Sequence, residues 1–165
     1  MKKSLCLILL LCAVYLPLCA SCSSHKELDL ALEEMCRTEA ALPAGQKYLL
    51  SEPLKKGWKK LSQEHLATLF RSSTLPPALE NVTQGALYLS FSHPFEIAVF
   101  ACASRADCDA VAQLCLGRLE TVRSYWRESE YAEVCNSGSV TVCGNYVLMV
   151  ISSSPEDAVK AFRRG

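Results

Sequence analysis

The sequence predicts an α+β fold in which two hairpins form a roughly four-stranded antiparallel sheet packed on one long helix, with short N- and C-terminal helices. Three observations carry this expectation. Residues 140–151, V-T-V-C-G-N-Y-V-L-M-V-I, are the densest apolar run after the N-terminus, and Gly144-Asn145 in its middle suits the positive φ angles of a two-residue hairpin turn. Leu87, Leu89 and Phe91, and then Ile97, Val99 and Ala101, alternate with their neighbours at the period of a strand. Between the two hairpins Cys108, Val111, Ala112, Cys115, Leu119, Val122 and Trp126 recur at spacings of three and four, which is one helical face.

The chain begins with an address. Lys2 and Lys3 precede an apolar run over residues 5–18 and a set of small residues ending at Cys22, the pattern of a secretion signal. That run is short of the ~20 residues of a comfortable membrane span. Ala20-Ser21-Cys22 resembles the lipobox of bacterial lipoproteins nearest the cut, with Cys19 where leucine is usual. We therefore expect a signal peptide over residues 1–21, lipid attachment at Cys22, a lipidated tether over 22–26 and one globular domain over 27–165. Cleavage after Ala20 without lipidation is the alternative. Acyl chains contributing about 0.8 kcal/mol per buried methylene would make the membrane the first partner, with the protein on the extracytoplasmic side of a bacterial envelope. Removing Lys2 and Lys3 leaves fifteen basic against seventeen acidic side chains, so the net charge falls from zero to minus two. Such a body does not suit a polyphosphate, and no nucleic-acid partner is expected.

After a polar tether, Leu28, Leu30, Leu32 and Met35 mark a short amphipathic helix over residues 27–37, ended by Pro43-Ala44-Gly45. Tyr48-Leu49-Leu50 is a brief extended segment that nothing local fixes. Lys55, Lys56, Lys59 and Lys60 surround Trp58; a solvated loop with Trp58 in the core is preferred to a surface resting on anionic lipid headgroups. Ser62 is placed to cap a short helix with Leu61, Leu66, Leu69 and Phe70 on its apolar face, and Pro76-Pro77 forbids its continuation. The first hairpin spans residues 79–102, with Ser92-His93-Pro94 at its turn. Asn81-Val82-Thr83 matches a eukaryotic glycosylation pattern that a bacterial lipoprotein does not use. Ser104 and Asp107 have the form of a capping box for the long helix. Residues 129–137 read as irregular, both strands of the second hairpin read as central, and Ser154-Pro155-Glu156-Asp157 opens a closing helix.

Glu96-Ile97-Ala98-Val99-Phe100, Arg118-Leu119, Gly144-Asn145-Tyr146-Val147-Leu148 and the terminal S-P-E-D-A-V-K-A-F segment occur in an order that resembles the bacterial lipoprotein family catalogued as domain of unknown function 4358. The resemblance runs from about residue 61 to the C-terminus. It implies a secreted, lipid-anchored α+β domain and brings no catalytic residues with it. The cysteines after Cys22 depart from that family's pattern.

One charge asks for an explanation. Arg118 lies at the edge of the long helix's apolar stripe, where a guanidinium needs a carboxylate or carbonyl partner, and Glu96 at the mouth of the preceding strand is the candidate. The two residues read either as a structural ion pair or as part of an anionic-ligand pocket with Tyr125, Tyr131 or Tyr146 at its rim. Cys108 and Cys115 read as small buried thiols, while Cys102, Cys135 and Cys143 lie near strand ends and can pair in combinations the sequence leaves open. Neither His65 nor His93 is placed beside a thiol by any local motif, and G-x-S-x-G, H-E-x-x-H and phosphate-loop patterns are absent. The expectation is a binding or adaptor domain for an envelope protein, without catalytic residues, cofactor or metal. A small thiol-dependent enzyme and a solute-binding lipoprotein with a pocket around Arg118 are the alternatives.

Overall fold

A computed structural model describes residues 27–165 of the chain. The segment expected to be a signal peptide, the expected lipid-attachment residue Cys22 and the expected tether over 22–26 lie outside the described residues. In chain order the elements are α1 (Leu28–Arg37), β1 (Gly45–Leu49), β2 (Trp58–Lys60), α2 (Gln63–Leu69), a 3-10 turn (Pro77–Leu79), β3 (Val82–Ser90), β4 (Glu96–Cys102), α3 (Arg105–Trp126), α4 (Ala132–Ser137), β5 (Ser139–Cys143), β6 (Tyr146–Ile151) and α5 (Pro155–Arg164). The fold is α+β, and its sheet has six strands in the order β2-β1-β3-β4-β6-β5. All neighbours are antiparallel except β1 and β2, which are parallel.

The two predicted hairpins form the β3–β4 and β6–β5 parts of this sheet, but four strands are too few. Gly45–Leu49 pairs along β3, with Tyr48 opposite Leu87 and Leu49 opposite Ala86, and Trp58–Lys60 then adds at the outer edge. Five and three residues are too short for a period to show in sequence, so only the tertiary pairing reveals them as strands. Trp58 turns into the core at 9% exposure, as expected, while Lys59 and Lys60 remain exposed; the expected loop is corrected, because these three residues are an edge strand. The Lys47 ammonium lies 5.7 Å from the centre of its ring.

The sheet is covered on both faces, not on one. Ile97, Val99 and Ala101 of β4 pack with Tyr88, Leu148 and Val150 beneath α1 and α5, through Leu28, Leu32, Met35, Ala158 and Phe162. Ala98, Phe100 and Cys102 point the other way, with Leu87, Val147 and Met149, toward α2 and the Cys108–Val111–Cys115 stripe of α3. Every position of β4 is therefore buried, and each large side chain taken fully out of water contributes about 1.5–3 kcal/mol. This two-sided burial is why residues 95–102 and 146–151 are near-continuous in apolar character.

Local geometry follows the sequence closely at most termini. Gly144 has φ +60° and the turn is closed by the Cys143–Tyr146 pair. Ser104 Oγ accepts from the Asp107 amide at 3.2 Å. Ser62 Oγ accepts from the His65 amide at 3.2 Å, and His65 Nδ1 accepts from the Ser62 amide at 3.4 Å, so histidine takes the reciprocal position of a capping box. Three expectations need correction. Ser154 precedes α5 without a side-chain capping bond; instead the buried Glu39, just beyond α1, accepts from the Ser153 amide at 2.8 Å and its hydroxyl at 2.7 Å. Residues 129–137 include α4 and are not wholly irregular. Only β6 is central; β5 is an edge strand because nothing pairs on its far side among the described residues.

Candidate functional site

Glu96 opens β4, opposite Leu89 on one side and Ile151 on the other, which drives its carboxylate under α3. Arg118 comes down from α3 to meet it. Its Nε donates to Glu96 Oε2 at 3.1 Å and its Nη2 donates to Oε1, a two-pronged charge-assisted contact. The side chains are 19% and 8% exposed, so the pair lies at the boundary between core and surface, with the carboxylate the deeper member. The predicted partnership is thus present.

Three adjoining hollows share Arg118. One of about 360 Å3 runs past Tyr48, His65 and Leu89. A second, of about 290 Å3, lies between Phe70, Arg71 and the Leu114–Gly117 turn of α3. The third, of about 270 Å3, is bounded by Ser90, His93 and Pro94 of the β3–β4 turn, by Glu96 and Arg118, and by Tyr125 and Trp126 at the end of α3. Arg71 lines the second and third hollows together with Arg118.

Arg71 has φ +54°, the left-handed conformation in which glycine is usual. The cause is the way α2 ends. The Ser72 amide donates to the Ala67 carbonyl at 2.8 Å and the Arg71 amide to Thr68 at 3.1 Å, the paired bonds of a Schellman motif, and Arg71 occupies its left-handed position. A side chain there costs about 1 kcal/mol relative to glycine. In return, an exposed guanidinium stands on the rim beside Arg118.

The third hollow has an aromatic wall. His93 meets Tyr131 edge-on at 5.1 Å, Tyr131 meets Trp126 at 5.5 Å, and Trp126 meets Tyr125 at 5.5 Å. Tyr125 ends this series at 75% exposure. Of the three tyrosines predicted at a rim, Tyr125 lines the hollow and Tyr131 braces it from behind. Tyr146 does neither: its ring packs on Phe162 at 5.4 Å, on the α1–α5 face of the sheet.

Four of the thiols are held toward the protonated form by burial. Burial pushes the Cys115 and Cys102 thiols up to about 12, and that of Cys36 up to about 11. Cys135 is also raised, by burial first and then by the Glu96 charge. His65 contacts Ser62 and the Tyr48 ring, and His93 contacts Ser92 and the Tyr131 ring, so their neighbours are hydroxyls and aromatic faces. The expected choice among Cys102, Cys135 and Cys143 is also corrected: the three lie in separate apolar clusters, so no two of them are brought together. Among the described residues no group of three or more His, Cys, Asp or Glu side chains is arranged to hold a metal ion, and no helix is long and apolar enough to cross a membrane.

The structure therefore brings together Glu96, Arg118 and Tyr125 from the sequence expectations and adds Arg71, His93 and Trp126. Arg71 leaves no trace in sequence, because nothing in R-S-S-T says that its backbone will be left-handed. No family model, no curated protein and no solved structure matches the chain.

Proposed function

We propose that the protein is a lipid-anchored extracytoplasmic binding domain of a bacterial envelope, which engages a protein partner through the face where Arg71, Arg118 and the His93–Tyr125 aromatic wall meet. The observation that carries the reading is Arg71. An arginine held at about 1 kcal/mol of backbone cost in a glycine position, on the rim of two hollows it shares with a second arginine, fits a residue retained for contact and not for stability. Shallow adjoining hollows with an exposed tyrosine and arginine match the residue types that anchor protein interfaces. The lipid anchor in this proposal is supported by the leader and Ala20-Ser21-Cys22, and membership of the resembled lipoprotein family by the order of Glu96, Arg118 and Gly144-Asn145-Tyr146.

A photo-crosslinking residue at position 125, in the full chain in its native envelope, tests the face. A discrete adduct is expected at this position, lost with Arg71→Gly and absent when the crosslinker is placed at Lys160 on α5. Identical adducts from positions 125 and 160, or an adduct indifferent to Arg71→Gly, would sink the proposal. The second reading, a solute pocket for an anionic ligand, is favoured by two guanidinia lining one hollow with His93. It is abandoned if the folded Arg118→Met variant responds to a broad ligand screen as the wild type does.

A further inference from the structure

Cys102 and Cys108 are six positions apart in sequence and stand on either side of the junction between β4 and α3. Cys102 is the last residue of β4 and Cys108 lies in the first turns of α3, with only Ala103 and the cap Ser104 between the two elements. Both reach the same hairpin turn: the Cys102 amide donates to Asn145 O at 2.8 Å, and the Cys108 thiol lies 3.9 Å from Gly144 O. Both side chains belong to one buried cluster, at 5% and 0% exposure, and the Cys102 thiol is raised first by burial and then by the neighbouring Cys108 thiol. Cys115, two helical turns further along α3, belongs to the same cluster and supplies an internal control.

We propose that Cys102 and Cys108 form a disulfide when the chain folds under oxidising conditions, clamping the end of β4 to the start of α3. The proposal extends the secreted reading above, since only an oxidising compartment makes such a bond persistent. The chemistry is thiol–disulfide exchange with a small-molecule or oxidoreductase disulfide as the oxidant. One protein thiol loses its proton to solvent and attacks the oxidant's disulfide, forming a mixed disulfide and releasing one oxidant thiolate. The second protein thiolate then attacks the protein sulfur of that mixed disulfide, forming the internal S–S bond and expelling the second oxidant thiolate. Two protein thiols are oxidised, one disulfide is reduced, and the two protons end on the released thiols. Burial raises the Cys102 thiol to about 12 once the fold is complete, so the exchange belongs to the folding stage, before α3 closes over the pair.

The test uses the full chain, solubilised in detergent from membranes without reductant and alkylated with iodoacetamide in denaturant. A parallel sample is unfolded and refolded in a buffer of reduced and oxidised glutathione. Trypsin separates the cysteines into peptides 72–105 and 106–118, and fragmentation of the linked pair distinguishes Cys108 from Cys115. The expected result is a Cys102–Cys108 link, with Cys115 alkylated, and a thermal midpoint that falls by roughly 5–10 °C on reduction, the loss for a seven-residue loop in a domain of this size. A link formed in glutathione but missing from the membrane sample supports the pairing and overturns the oxidising-compartment reading. Alkylation of both Cys102 and Cys108 in both samples, or a link from Cys102 to Cys115, overturns the pairing itself.

Discussion

Replacing Arg118 by methionine keeps most of the apolar stem on α3 and removes the guanidinium that holds Glu96. The carboxylate left behind is 8% exposed and loses both of its charge-assisted bonds. Breaking a fully buried pair from one side costs about 3–5 kcal/mol. Here the Arg118 side chain is 19% exposed and borders three hollows, so water can reach part of the carboxylate, and a cost of about 2–3 kcal/mol is expected. For a domain of this size that corresponds to a thermal midpoint lower by roughly 6–10 °C. Glu96→Gln should cost less, because the cation it abandons is the shallower partner and can turn toward solvent. The Arg118→Met/Glu96→Gln double variant should recover at least ~1 kcal/mol of the summed loss. Urea or thermal denaturation of the four proteins measures the cycle. An Arg118→Met cost below about 0.5 kcal/mol, with no coupling to Glu96→Gln, would refute the claim that this pair holds α3 on the mouth of β4.

Other perturbations separate stability from recognition. Arg71→Gly should raise stability by roughly 0.5–1 kcal/mol, since glycine suits φ +54°, while abolishing the position-125 crosslink; a destabilised variant would contradict the Schellman assignment. Glu39→Ala removes the acceptor for the Ser153 amide and hydroxyl and should cost about 1–2 kcal/mol, measured by urea denaturation, with Glu39→Gln recovering part of it. In reducing buffer the raised thiols give an alkaline limit. The folded Cys36 thiol stands at about 11 against an ordinary value of 9.0, so its contribution is whole below pH 9 and is lost as pH rises toward 11, on the order of 2–3 kcal/mol in all. Thermal midpoints should therefore be flat between pH 7 and 8.5 and fall above pH 9, and Cys36→Ala should weaken that fall. Labelling with radioactive palmitate should mark the wild type and spare Cys22→Ala; label persisting in the variant would place the anchor elsewhere.

The parts legible in sequence are those written in a local period or a turn dipeptide. The seven-residue stripe of α3 and the Gly144-Asn145 turn required no knowledge of what they would pack against. Glu96 and Arg118 were legible as a pair for a related reason. A permanent charge at the edge of an apolar stripe must find an acceptor on a neighbouring element, and Glu96 stood at the mouth of the preceding strand.

The rest depended on partners distant in the chain. Gly45–Leu49 and Trp58–Lys60 carry too few residues to display a period and became strands by pairing with β3 and with each other. The second helical layer could not be foreseen from α1 or α5 alone, because an amphipathic helix states that it has a buried face without stating which surface receives it. Glu39 meets Ser153 across 114 positions, Arg71 acquires its conformation from the hydrogen bonds that end α2, and Tyr146 is carried by the pleat of β6 to the face opposite the hollows. By itself, then, the sequence determined the hairpins, the long helix and the Glu96–Arg118 partnership. Only the tertiary structure decided the six-stranded order, the coverage of both sheet faces, the Arg71 rim and the placing of Cys102 and Cys108 in one buried cluster. Periodicity is a property of neighbours along the chain, whereas register, layer and site are set by which distant surfaces exclude water from one another.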